Sequence, residues 1–187
     1  MEEELQQALR HVQKGNIILY PTDTIWGIGC DATNTKAVKK IYSIKNREER
    51  KSMIVLLSDF NQLKDYVEEV PSIASDLIKY IDRPLTIIYS GAKNLASKLI
   101  AKDGTIAIRI VKHSFCSELI KRLGKPIVST SANISGTPSP LFYSHIQDYI
   151  KTKVDYIVNL EQNADIINKA STIIKLDKSG KYTIIRE

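Results

Sequence analysis

Nine short apolar runs are spaced through this chain of 187 residues, and each is too brief for a buried helix. They are Asn16–Tyr20 (NIILY), Ile25–Cys30 (IWGIGC), Met53–Ser58 (MIVLLS), Leu85–Ser90 (LTIIYS), Thr105–Val111 (TIAIRIV), Pro126–Val128, Tyr156–Asn159, Ser171–Leu176 (STIIKL) and Tyr182–Arg186 (YTIIR). Most are rich in β-branched and aromatic residues, so they read as strands. The segments between them carry helical spacing. Glu2–Lys14 places Leu5, Ala8, Leu9 and Val12 on one face and stops at Gly15. Thr35–Ile44 turns Ala37, Val38, Ile41 and Tyr42 inward, and Ser114–Leu123 reads as capped by Ser114 and stopped by Gly124. Asp59–Val67, Pro71–Ile81, Asn94–Ala101 and Ser144–Ile150 read as short helices, and Glu161–Lys169 as an irregular polar loop. The alternation implies one α/β domain over residues 1–187, a mixed, twisted sheet covered by helices. Parallel pairs are expected early, and an antiparallel hairpin around Asp177–Gly180 at the end.

A net charge of +6 and a pI near 9.2 suggest an anionic partner: nucleotide, phosphate or RNA. No apolar run approaches a membrane span, and the acidic, amphipathic start MEEELQQALR is not a leader, so a cytoplasmic protein with no membrane partner is expected. Cys30 and Cys116 have no CxxC spacing and read as two reduced cytosolic thiols. His11, His113 and His145 stand singly, and no carboxylate cluster is visible, so no protein-bound metal is expected.

Three polar islands interrupt the apolar pattern. The longest, Pro126–Pro140 (PIVSTSANISGTPSP), opens as a short strand and passes into small hydroxyls. Short donors and acceptors at a strand's carboxyl end suit a polar ligand that approaches backbone, although a Ser/Pro turn capping a helix has the same composition. Tyr20–Thr24 flanks an acid with two threonines. Lys45–Lys51 (KNREERK) reads from charge alone as a solvated helix end, or as a loop reaching toward polyphosphate. Arg109, in mid-strand, needs a partner: a structural carboxylate or an anionic ligand. Gly27-Ile28-Gly29-Cys30-Asp31-Ala32 formally matches GxGxxA, but its glycines fall within the apolar run and the next helix starts only near Thr35, so a dinucleotide fingerprint is rejected. No Walker-type loop is present.

Taken together, five segments in order resemble the YrdC/TsaC family, the threonylcarbamoyl-AMP synthases. They are Pro21-Thr22-Asp23-Thr24-Ile25-Trp26-Gly27-Ile28-Gly29, Lys45-Asn46-Arg47, Thr105-Ile106-Ala107-Ile108-Arg109, the run Ser131-Ala132-Asn133-Ile134-Ser135-Gly136-Thr137-Pro138-Ser139-Pro140, and Ser171-Thr172-Ile173-Ile174. The resemblance runs from Leu5 to Arg186. It implies a YrdC-like twisted mixed sheet with a concave ligand-binding face. It also implies a reaction: L-threonine, bicarbonate and ATP give threonylcarbamoyl-AMP and pyrophosphate, and downstream proteins transfer the threonylcarbamoyl group to tRNA beside the anticodon. Mg2+ would arrive with ATP. By the same resemblance Lys45 and Arg47 are catalytic; Thr24, Arg109 and Ser129 hold threonine; and Arg47, Lys51, Thr105, Ser131, Asn133, Ser139 and Arg186 meet the nucleotide.

This chain departs from the family pattern at several places. Trp26 stands where many relatives have tyrosine, Glu48 and Lys51 where many have proline and asparagine, and Asp82-Arg83-Pro84 where many have P-G-P. Leu56 stands where some have a histidine that touches threonine. No counterpart of the carboxy-terminal lid found in longer relatives is expected from these 187 residues, and a more open site is expected with it. Two other readings compete: a non-catalytic binder of double-stranded RNA or tRNA, and a sugar-phosphate lyase with an acidic metal loop near Asp23 and Asp31. No aromatic RNA platform or KH-type loop supports the first.

Overall fold

The computed structural model describes residues 1–48, 53–164 and 169–187. Among them one sheet runs through the molecule in the order β7-β1-β2-β6-β3-β5-β4-β8-β9. Its strands are β1 (Ile18–Tyr20), β2 (Gly27–Gly29), β3 (Ile54–Leu57), β4 (Leu85–Tyr89), β5 (Ile106–Ile110), β6 (Ile127–Ser131), β7 (Tyr156–Ile157), β8 (Thr172–Leu176) and β9 (Tyr182–Arg186). The helices are α1 (Glu2–Gln13), α2 (Thr35–Ile44), α3 (Leu63–Tyr66), α4 (Ile73–Tyr80), α5 (Ser114–Leu123) and α6 (Asp148–Lys153).

The pairing corrects one expectation. The first two strands pair antiparallel, Leu19 opposite Ile28, because the Pro21–Trp26 island is a hairpin loop rather than a crossover. Parallel pairs occur instead between strands far apart in sequence: β1 with β7, β3 with β5 and β4 with β8. The terminal pair β8–β9 is antiparallel as expected.

Local rules account for most element ends. Glu2, Glu3 and Glu4 sit in the first turn of α1, where the helix dipole favours them, and Gly15 follows the helix at φ 77°. Asn34 caps α2 by accepting from the backbone N–H groups of Lys36 and Ala37. Ser114 does not cap α5: His113 holds the cap position and its side chain makes no capping bond. Asn94–Ala101 is not an α-helix but a single 3-10 turn, Ser97–Leu99, entered after Asn94 at φ 56°. Of the Asp59–Val67 segment, only Leu63–Tyr66 is α-helical, and a capped 3-10 turn, Phe60–Gln62, precedes it.

Two cores result. The larger packs α2, α4 and neighbouring turns on one face of the sheet, around Leu19, Ile28, Val55, Leu57, Val128 and Ile108. The smaller packs α1 and α5 on the other face, over Ile18, Tyr20, Leu56 and Ile127, using Leu5, Ala8, Val12, Phe115 and Leu119. The second cover is partial. One register row along from Leu56, the same sheet face is not roofed by these helices, and the candidate site lies there.

Candidate functional site

Strand register builds the floor. Ser129 of β6 lies opposite Ile54 of β3, Ile54 opposite Ala107 of β5, and Ala107 opposite Ile88 of β4. Gly27 of β2 pairs with Ser131 of β6 at one end of this row. All six residues line a cavity of about 260 Å3. Its walls add Thr24 and Trp26 from the loop between β1 and β2, and Arg47, Arg109, Ser139 and Arg186 from four other segments. One half is therefore apolar, with Ile54, Ile88, Ile173 and Ile185, and the other is built of hydroxyls and guanidinium groups.

The strand β6 explains the hydroxyls. The apolar run Ile127-Val128 does not end the strand; pairing continues through Ser129, Thr130 and Ser131. The polar switch marks where the face changes from helix-covered to open, not where the ladder stops. Two glycines of β2 make this approach close. A Cβ on Gly29 would lie 2.2 Å from the Val128 carbonyl, and Tyr20 donates its hydroxyl to that same carbonyl at 2.9 Å.

The Pro21–Trp26 hairpin loop is held from within. Thr22 donates its hydroxyl to the Ile25 carbonyl at 2.8 Å, accepts from the Thr24 N–H at 3.0 Å, and lies 2.9 Å from the Thr24 hydroxyl. Thr24 is thus positioned at the cavity wall with its own hydroxyl already oriented.

Lys45 and Arg47 diverge because α2 ends in a Schellman turn. Asn46 adopts φ 47°, its N–H returns to the Ser43 carbonyl at 3.1 Å, and the Arg47 N–H returns to the Tyr42 carbonyl at 3.0 Å. Asparagine tolerates this left-handed position better than most residues. Across it, Arg47 reaches the cavity, while Lys45 turns into the protein with 1% exposure. Lys45 Nζ donates to the carbonyls of Ser131 and Asn133, the latter at 2.7 Å, and lies 3.5 Å from Asn133 Oδ1. Burial, and then the neighbouring Arg47 charge, pull the Lys45 ammonium down to about 7. Burial also lowers Arg47.

Arg109 is 3% exposed. Its Nη2 stands 3.1 Å from Asp23 Oδ1, near enough for attraction but not aligned for a hydrogen bond. Both Nε and Nη2 of Arg109 consequently lack a hydrogen-bond partner. Asp23 spends its other oxygen on the Lys112 N–H, at 3.0 Å. The alternatives read from the sequence, structural carboxylate or ligand, thus both have a physical counterpart: a loose ion pair with donors left over. Arg186 donates to the Ser171 carbonyl at 2.8 Å, and its charge is disfavoured by burial and then by Arg109. Arg47, Arg109 and Arg186 line one cavity, and none of the described lining residues is a carboxylate. Such a site attracts anions.

The structure brings together Thr24, Arg47, Arg109, Ser129, Ser131, Ser139 and Arg186. Three expected residues do not line the cavity. Lys45 and Asn133 lie behind its wall, and the Thr105 hydroxyl is bound to Asp103 at 2.7 Å. Lys51 lies outside the described residues. Leu56, paired with Arg109 across the strands, is on the same sheet face as the cavity but is fully buried in the core under α1 and α5 and does not line it. Sequence reasoning missed the apolar half and the role of Asp23. Strand alternation assigns Ile54 and Ile88 to a face, but only register shows which face stays open. Among the described residues no group of three or more His, Cys, Asp or Glu could hold a metal. No described helix is long and apolar enough to cross a membrane.

Comparison with known proteins places this geometry. A family model described as telomere recombination, which takes its name from Sua5, YciO and YrdC, matches residues 10–187. A threonylcarbamoyl-AMP synthase of Pseudoalteromonas translucida is 32% identical over 155 residues, 81% of this chain and 83% of its own. Escherichia coli YciO superposes with a TM-score of 0.85 at 27% identity, covering 100% of this chain and 90% of that one. Pyrococcus abyssi Sua5 complexed with L-threonine superposes with a TM-score of 0.87 at 28% identity, and this chain spans 54% of its length. The family model, the sequence relatives and the superposed folds agree: the chain belongs to the Sua5/YciO/YrdC family.

Proposed function

We propose that this cavity forms threonylcarbamoyl-AMP from L-threonine, bicarbonate and ATP, a nucleotidyl transfer that serves tRNA modification. The observation that carries the reading is Arg109: a buried guanidinium, loosely ion-paired with Asp23, whose Nε and Nη2 lack a hydrogen-bond partner in the wall of a cavity that also holds Arg47 and Arg186. A buried cation in that state calls for an anionic ligand group. Threonine supplies a carboxylate for Arg109 and a hydroxyl for the Thr24 and Ser129 side chains. Support also comes from the relatives named threonylcarbamoyl-AMP synthase and the Sua5 structure with L-threonine.

The chemistry needs no protein nucleophile. The threonine amine attacks bicarbonate, losing water to give a carbamate. A carbamate oxygen then bonds to the α-phosphorus of ATP as the bond to pyrophosphate breaks. Negative charge shifts onto the leaving pyrophosphate, where fixed cations lower the barrier. Arg47 and Arg186 are placed for this, and Ser131 and Ser139 offer hydroxyls to the phosphates or ribose. Mg2+ enters with ATP and offsets phosphate charge, since the described lining supplies it no carboxylate.

Pyrophosphate release is the test, with threonine and bicarbonate omitted in turn. Release that requires both, and that Arg109→Gln lowers chiefly by raising the KM for threonine, is the expected result. No release in any mixture, with tight salt-sensitive RNA binding indifferent to Thr24, Arg47 and Ser131, sinks the proposal in favour of an RNA-binding protein.

A further inference from the structure

We infer that Lys45 is a positioning residue: it latches the Ser131–Ser135 segment onto the end of α2 and thereby sets the nucleotide-side wall of the cavity. The placing of that wall on the nucleotide side rests on the function proposed above; the latch itself does not. The observations are geometric. Lys45 grips the segment at two points. Its carbonyl accepts from the Ser135 N–H at 2.8 Å, and its ammonium donates to the carbonyls of Ser131 and Asn133. Ser131, the last residue of β6, lines the cavity, and Ser139 lines it farther along the same loop. Asn133 continues the grip, donating from Nδ2 to the carbonyls of Ile134 and Thr137 at 3.1 and 2.5 Å.

A loop that leaves a strand has backbone carbonyls without ladder partners, and buried carbonyls need donors. An ammonium on a long stem offers three donors from one point. Lys45, the residue that caps the carboxyl end of α2, supplies them from behind the wall, while Arg47 faces the cavity across the left-handed Asn46. The spacing K-x-R therefore separates two tasks: one cation holds protein, the next meets ligand. At 1% exposure and outside the cavity lining, Lys45 has no path to a phosphate without breaking these bonds.

The test is amide hydrogen exchange on ligand-free protein, followed peptide by peptide. Lys45→Met is expected to speed exchange of residues 131–137 by at least tenfold while α1 and α5 keep their protection. Arg47→Gln leaves that segment unchanged. Asn133→Ala loosens it with Lys45 intact, which covers the case that Lys45→Met does not fold. In titrations with ATP and Mg2+, Lys45→Met weakens binding about tenfold and Lys45→Arg, which keeps donors, restores part of it. Unchanged exchange of residues 131–137 in folded Lys45→Met would overturn the inference, as would Asn133→Ala with wild-type exchange there. Loosened exchange in a protein that shows no threonine-dependent pyrophosphate release upholds the latch and removes the function proposed for the wall.

Discussion

Two glycines two positions apart in β2, Gly27 and Gly29, are expected to fail in opposite ways. Alanine at Gly29 puts a Cβ 2.2 Å from the Val128 carbonyl and 2.7 Å from the Tyr20 ring. The first contact is backbone of the central strand β6, which cannot rotate aside. Relief requires β2 and β6 to part, and this strains the Tyr20 hydroxyl bond to the same carbonyl. Overpacking of this kind costs about 1–3 kcal/mol, and a weakened hydrogen bond adds about 1 kcal/mol. The lower chain entropy of alanine in the unfolded state returns about 0.4–1 kcal/mol. The net loss for Gly29→Ala is then about 1–3.5 kcal/mol. Alanine at Gly27 meets instead the Ser129 hydroxyl at 3.2 Å and a Thr22 methyl at 3.5 Å, both movable side-chain atoms. Its cost in stability is expected below about 1 kcal/mol. But Gly27 lines the cavity, so the new methyl group occupies ligand space and displaces Ser129. Urea unfolding of both variants, with threonine and ATP titrations on each, measures the pair. Gly29→Ala should shift the urea midpoint strongly and bind ligand near normally when folded. Gly27→Ala should unfold near wild type and bind poorly. Equal stability losses, or a Gly27→Ala protein with intact binding, would refute the assigned facing of β2.

Lys45 gives a pH prediction with a definite sign. Its ammonium is held near 7 in the fold, below its value in the unfolded chain, so between these values the unfolded chain binds the extra proton. Wild-type stability therefore rises with pH relative to Lys45→Met, by about 2 kcal/mol from pH 7 to 9, and the difference is nearly flat below pH 7; urea midpoints of both proteins across that range check it. Tyr20→Phe removes the donor to Val128 and should cost about 1 kcal/mol in thermal or urea unfolding, with ligand affinity kept. Cys30 and Cys116 are both fully buried, and burial raises both thiols, so a thiol reagent such as iodoacetamide should label neither in the native protein and both after denaturation.

Much of this was legible in the sequence because local rules sufficed. The period of Ala37, Val38, Ile41 and Tyr42 fixed α2 to the residue, and the run YTIIR fixed β9. Three polar islands, and the resemblance carried by five ordered segments, pointed to most of the polar residues of one cavity before any were placed together. What stayed hidden depends on distance along the chain. Asp23 and Arg109 meet across 86 positions, and the carbonyls that hold Lys45 lie 86 and 88 positions away. Nothing near Lys45 in sequence shows that it is buried; the charged run around it suggests the reverse. The early strands alternate with turns as a crossover would, and only the hairpin geometry of Pro21–Trp26 makes them antiparallel.

The row that floors the cavity has a consequence for how the protein comes into being. Ser129, Ile54, Ala107 and Ile88 are neighbours in space but are drawn from four strands, and Gly27 and Arg186 bring in the two ends of the sequence. Helices α1 and α2 can form early from nearby residues, whereas long-range strand pairing is slow to close. In refolding after dilution from denaturant, helical circular dichroism should therefore recover first and competence to bind threonine last. Activity would then serve as a clock for completion of the whole sheet.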